Sequence, residues 1–414
     1  MIFIAVFVLT VFLYSLVSRR LERTVITAPV IFTLAGIALY RLPPVFSDPE
    51  LKRQGFLLVA EIGLVMTLFT DAARINLNSL SSNKNLPIRL LTTGMLLTIL
   101  LGAIGAIIIF PSLSWQEAGI LAAILAPTDA GLGMVIVNSP YVPARIRQAL
   151  NVEAGLNDGL SVPFLMCFIA MALQTSEGAA EVLSRFIGEQ IGYGSLIGIA
   201  IGGCGGWLLA LASRKQWMEG SMQQMGLVSI PLLCVIASEA TGASMFIAGY
   251  VAGFAVQLGF AEAGRHSVEF TETWGQLFDF FVFFLFGLLV ARSWALFDAI
   301  HFFYAVFSLT LARMLPVALA LLGTGLSRST VLFMGWFGPR GLASIVLGLV
   351  YLEHEAHLTD ETTIKLSLMM TVLVSIFSHG LSALPGISIY TGRIAKLPSS
   401  APEHESIDHK YTAG

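Results

Sequence analysis

Ala126-Pro127-Thr128-Asp129-Ala130-Gly131 and, one apolar run later, Glu153-Ala154-Gly155-Leu156-Asn157-Asp158-Gly159 decide how this chain is read. Both stretches sit inside segments apolar enough to lie in a bilayer, and each carries an aspartate. A carboxylate at the bilayer centre costs about 2.5–3.5 kcal/mol on insertion scales, so it persists where it has a task. Glycine and proline beside it loosen a helix and free backbone carbonyls, which is tolerated at membrane depth where the backbone lines a cavity. Carboxylates and freed carbonyls together make a hard-oxygen site for a small cation, or a site for a proton.

The whole composition agrees with a membrane setting. Of 414 residues, 56% are hydrophobic and only 12% charged, with a mean hydropathy of +0.81. A soluble domain carries about 25% charged residues. No basic stripe suggests nucleic acid. Cys167, Cys204 and Cys234 fall in apolar runs without metal-ligand spacing and read as packing residues, not disulfides. Arg19, Arg20 and Arg23 follow the first apolar run, whereas a secretory leader carries its charges before it, so Ile2 to Val17 reads as an uncleaved span.

The pattern predicts an all-α polytopic membrane protein of about thirteen spans, near 2–17, 25–42, 55–72, 90–110, 116–137, 149–173, 186–212, 222–238, 242–260, 273–291, 296–322, 330–352 and 364–386. Alternate loops collect the cations: Arg19, Arg20, Arg23, Arg74, Lys84, Arg89, Arg145, Arg147, Arg214, Lys215, Arg265 and Arg328, then Arg393, Lys396 and Lys410 in the tail. The opposite loops hold only Lys52, Arg53, Arg185 and Arg292. The positive-inside rule then places the N-terminus outside and the C-terminus in the cytoplasm. The polar tail from Gly386 to Gly414 reads as disordered, with 387–414 a short cytoplasmic tail.

Span 5 is broken near 127–131 and span 12 near 338–341, around Arg340. Pairing spans 1–6 with 8–13 as inverted repeats puts the two breaks at matching places and leaves span 7, near 186–212, as connector; matched broken helices are the best sequence pointer to a transport site. Asp158 could hold a proton or a cation but not both well, which by itself yields exchange. Asp129 and Thr128 could cradle the cation or cap a half-helix. Glu153 and Arg313 are two expensive buried charges, and we expect them to pair, holding span 6 on span 11. Arg340 is read equally as a balancing charge or a carbonyl cap. Glu61, Asp71, Glu239 and Asp279 are expected at span ends or in a funnel, Asp279 being the deepest.

Thr128-Asp129, then Glu153 with Asn157-Asp158-Gly159, then Ala312-Arg313, then Gly338-Pro339-Arg340-Gly341, with Gly242-Ala243-Ser244 leading into Ala248-Gly249-Tyr250, resemble the first family of monovalent cation:proton antiporters, the sodium/proton branch. The resemblance covers residues 1–386. It implies a homodimer whose dimerisation part spans about 1–72 and 222–291, and a mobile core over about 90–173 and 296–386. It implies Na+, or K+ or Li+, competing with H+ at Asp158, close to Asp129, Thr128 and Asn157, with Glu153 paired to Arg313 and no cofactor. Asn157 before the aspartate implies electroneutral exchange. A bacterial inner membrane is the implied location. The chain departs from many members at Ala154, where a serine hydroxyl is a cation ligand, and it shows no large regulatory domain.

An intramembrane aspartyl protease would need Tyr-Asp and Gly-x-Gly-Asp, absent around Asp129 and Asp158. A passive channel needs no titrating acid at its midpoint. A proton-coupled transporter of a small organic solute is the remaining alternative, since the repeat architecture does not choose a substrate.

Overall fold

The computed structural model describes residues 2–21, 24–41, 53–74, 85–173, 187–260, 267–353, 360–398 and 400–404. Among them the regular structure is helical, and the three cysteines are free thiols. In chain order the helices are α1 (Ile2–Leu21), α2 (Ala28–Arg41), α3 (Arg53–Arg74), α4 (Asn85–Ile109), α5 (Trp115–Ile124), α6 (Ala130–Val137), α7 (Ala144–Ala172) and α8 (Gly194–Arg214). There follow α9 (Gly220–Thr241), α10 (Met245–Gly259), α11 (Ser267–Arg292), α12 (Ala299–Ala320), α13 (Arg328–Trp336), α14 (Leu342–Glu353) and α15 (Glu361–Ile394). Eight of the described helices are long and apolar enough to cross a membrane.

Local chemistry sets the element ends. The turn between α9 and α10 needs Gly242, at φ +69°, followed by Ser244, whose hydroxyl accepts the Ile247 N–H and caps α10. Along α8, Gly198, Gly202 and Gly206 recur every fourth residue and face α10. A Cβ there would stand 2.5 Å from the carbonyl oxygens of Ala248, Ala252 and Val256. Small residues at this spacing let two helix backbones touch, the main way helices associate where lipid removes the hydrophobic drive. The segment expected to be a connector is thus one side of a tight helix pair.

Helix α11 packs on α2 and α3, and α10 on α3; α4 packs on α5, α5 on α7, and α12 on α15. The aromatic rings of Phe3, Phe7, Tyr14, Phe32, Phe280, Phe281 and Phe284 join α1, α2 and α11. Phe32 and Phe280 stack at 4.4 Å.

The two interrupted segments are α5–α6 and α13–α14. Each begins with a serine cap. Ser114 accepts from Glu117 N, and Glu117 Oε2 accepts from Ser114 N at 2.8 Å, a complete capping box. Ser327 accepts from Thr330 N, but threonine at that place cannot return the bond. Glu403 does so instead: its Oε1 accepts from Ser327 N and from the Thr330 hydroxyl, each at 2.7 Å. The expectation of a disordered tail is therefore corrected as far as residue 404; residues 399 and 405–414 lie outside the described residues. Helix α15 runs on to Ile394, and Pro402–His404 forms a 3-10 turn with Glu403 buried and Arg145 bonded to the Pro402 carbonyl. Polar composition hid a long-range cap.

Candidate functional site

The breaks exist because neither stretch can continue a helix. Pro127 and Pro339 lack an N–H to donate and disfavour helical backbone in the residue before them. The orphaned groups then find partners across the gap. Asp129 N donates to the Pro339 carbonyl at 2.8 Å, so the two breaks touch. Arg340, fully buried, donates from Nη1 to the Pro127 carbonyl at 2.9 Å and, in a very short contact, to that of Ala126. Gly341 is required here, because a Cβ would overlap the Asp129 carboxylate.

Asp129 serves two helices. Its Oδ1 accepts from Leu132 N at 3.0 Å, capping α6, and its Oδ2 accepts from Leu342 N at 2.7 Å, capping α14. Two helix N-termini thus converge on one carboxylate. Thr128 and Asn157 pair directly: Asn157 Nδ2 donates to Thr128 Oγ1 at 2.7 Å, and Thr128 N donates to Asn157 Oδ1 at 3.2 Å.

Asp158, next on α7, is different. It is 5% exposed, and its Oδ1 is buried without a hydrogen-bond partner. The charges acting on it come from Asp129, Asp71 and Asp279, opposed by Arg340. Gly155 and Gly159 open its face of α7. The Cβ of Asp71 stands 3.4 Å from where a Gly155 Cβ would be, and the Tyr250 ring fills the space beside Gly159. Glu153 lies on another face and takes Arg313 in a bidentate pair at 2.5 and 2.9 Å.

Two cavities flank this arrangement. One of about 990 Å³ is lined by Thr24, Thr27, Asn138, Tyr141, Asp279 and Asp129 among others. The other, about 20 Å³, lies among Thr128, Asp129, Asn151, Ala154 and Pro339, room for one water or one bare alkali ion.

The structure thus joins Thr128 to Asn157, Glu153 to Arg313, and Arg340 to the first break. It leaves Asp158 unpartnered at Oδ1. The sequence reading gives Tyr250 no role beyond its place in the resemblance and sets Asp71 at a span end or in a funnel, without bringing either to Asp158. The glycines at 155 and 159 were the signal, since they mark the face of α7 where neighbours come close.

Crossed helix breaks around buried acids define a secondary transporter fold. Residues 6–385 match the family described as sodium/hydrogen exchanger, transmembrane, and the chain belongs to it. It is 28% identical over 359 residues to the Na(+)/H(+) antiporter NhaP of Pseudomonas aeruginosa, covering 79% of this chain and 80% of that one. It is 25% identical to the K(+)/H(+) antiporter NhaP of Alkalimonas amylolytica over 82% of this chain and 58% of that one. With the Na(+)/H(+) antiporter 2 of Zygosaccharomyces rouxii the identity is 24%, over 62% of this chain and 34% of that one. The chain therefore spans about a third to three fifths of the length of these last two relatives. The fold matches the structure of the sodium proton antiporter MjNhaP1 of Methanocaldococcus jannaschii, with TM-score 0.72, 20% identity and coverage of 95% and 99%.

Proposed function

We propose that the protein exchanges a monovalent cation for protons, electroneutrally, with Asp158 as the group both ions share. One observation carries this: a buried carboxylate oxygen with no protein partner. Such an oxygen is costly empty and is relieved by a proton or by a cation. Cation in means proton out, which is antiport at one site. Asp129 is already committed to Leu132 and Leu342, which leaves Asp158 with the open carboxylate oxygen and supports one cation per proton. The relatives named for Na(+)/H(+) and K(+)/H(+) exchange support the substrate class.

The thirteen-span topology counts α5–α6 and α13–α14 as one span each. It divides the chain into a dimerising scaffold with α1–α3 and α9–α11, and a moving core with α4–α7 and α12–α15, joined by α8. With the cation-rich loops in the cytoplasm of an inner membrane, the 990 Å³ funnel opens inward onto Asp129 and Asp279. Proteoliposomes reporting internal pH test the reading. Imposed Na+, Li+ or K+ should drive proton movement that ignores a clamped membrane potential and disappears in Asp158→Asn. No response to any alkali cation would transfer the assignment to a proton-coupled organic solute.

A further inference from the structure

The second break is held from behind by one face of α15. Arg340 N donates to Ser375 Oγ at 2.7 Å. One turn on, His379 Nε2 lies 2.8 Å from the Trp336 carbonyl, the last of α13. A carbonyl only accepts, so Nε2 carries the proton. His379 Nδ1 lies 3.2 Å from Ser375 Oγ and can take its hydroxyl proton. The ring stacks on Trp336 with centroids 4.9 Å apart. His379 Nδ1 also lies 3.0 Å from the Ser375 carbonyl and 3.4 Å from Ser378 Oγ, so the ring is held on the Ser375 turn at one nitrogen and on Trp336 at the other. Residues 375 and 379 are neighbours on one helix face, and between them they pin both ends of the Phe337–Arg340 break. Both side chains are buried, Ser375 fully and His379 at 2% exposure.

The consequence reaches the site through Arg340. Its backbone is fixed by Ser375, and its guanidinium then anchors the Ala126 and Pro127 carbonyls, directly before Thr128 and Asp129. We infer that Ser375 and His379 are positioning residues for exchange: they set where Arg340 stands and hence how the two breaks cross. Neither need touch the cation. The inference rests on the antiport reading, and wild-type exchange in the same vesicles decides that reading separately.

The test compares Ser375→Ala with Ser375→Thr, and His379→Phe with His379→Gln. Phenylalanine keeps the stack on Trp336 and loses the donor; glutamine offers an amide N–H near the Nε2 position and cannot titrate. With wild-type exchange present and each variant recovered folded, S375A and H379F should each lower the maximal rate about fivefold or more, the scale of one lost buried hydrogen bond. S375T and H379Q should recover most of it. The inference is overturned if H379F exchanges like wild type, or if H379Q is as impaired as H379F, which would make the titrating ring itself the requirement. Should H379F not be recovered folded, S375A against S375T carries the same decision: equal rates overturn the inference.

Discussion

The carboxylate of Asp129 accepts the N–H of Leu342 at 2.7 Å, closing a contact across 213 positions of chain. The same side chain caps α6 through Leu132, so one acid binds the two broken helices to each other. Its neighbour Asp158 has no such structural task at Oδ1. On the proposed reading the two aspartates divide the work, Asp129 holding the crossing and Asp158 meeting the ions.

That division is measurable by comparing Asp129→Asn with Asp158→Asn. D129N loses one of two charge-assisted caps and should cost about 1–2 kcal/mol of stability. D158N removes a buried charge and should leave the melting temperature unchanged or raised while abolishing exchange. Equal destabilisation of both variants would erase the distinction.

Arg313 and Glu153 form a pair buried from solvent on both sides. Arg313→Ala leaves a buried carboxylate unpaired, which costs about 3–5 kcal/mol in comparable cases. The expected outcome is low yield and a lowered melting transition, partly restored by adding Glu153→Gln. Normal yield with dead transport would make Arg313 a direct participant.

Ala154 borders the small cavity beside Thr128 and Asp129. Ala154→Ser places a hydroxyl oxygen at a space sized for one ion or water. Apparent cation affinity should tighten by about threefold to tenfold, the worth of one hydrogen bond or ligand contact. An unchanged affinity would show that the cavity lies off the ion's path.

Glu403 completes the cap of α13 from the far end of the chain. Burial pushes its carboxyl up, but the Ser327 and Thr330 donors outweigh this and hold it below the usual glutamate range. A carboxyl lowered in the folded state stabilises above its unfolded pKa and loses that contribution as pH falls through the folded value. Glu403→Gln should therefore lower stability by about 1 kcal/mol at neutral pH. The gap to wild type should close on acidification below about pH 4. A gap independent of pH would mean that the carboxylate charge is irrelevant.

Much of this was legible in the sequence because it is local. Pro127, Gly131, Gly338 and Pro339 announce the breaks, and Asp158 announces an expensive charge. Glu153 and Arg313 could be matched because each would be intolerable alone. What stayed hidden depends on contacts between distant segments. Nothing near Asp129 reveals that Leu342 is its second partner, and nothing near Ser375 or His379 distinguishes them from ordinary buried polar residues. Glu403 sits in a polar stretch whose composition reads as disorder, and only the missing bond at Ser327 explains why it docks.

The central claim is that a cation displaces a proton at Asp158. Purified protein in weakly buffered detergent solution, near the midpoint of its activity, should release close to one proton for each Na+, K+ or Li+ bound, and D158N should release none. Cation binding without proton release, or release undiminished in D158N, would contradict the account.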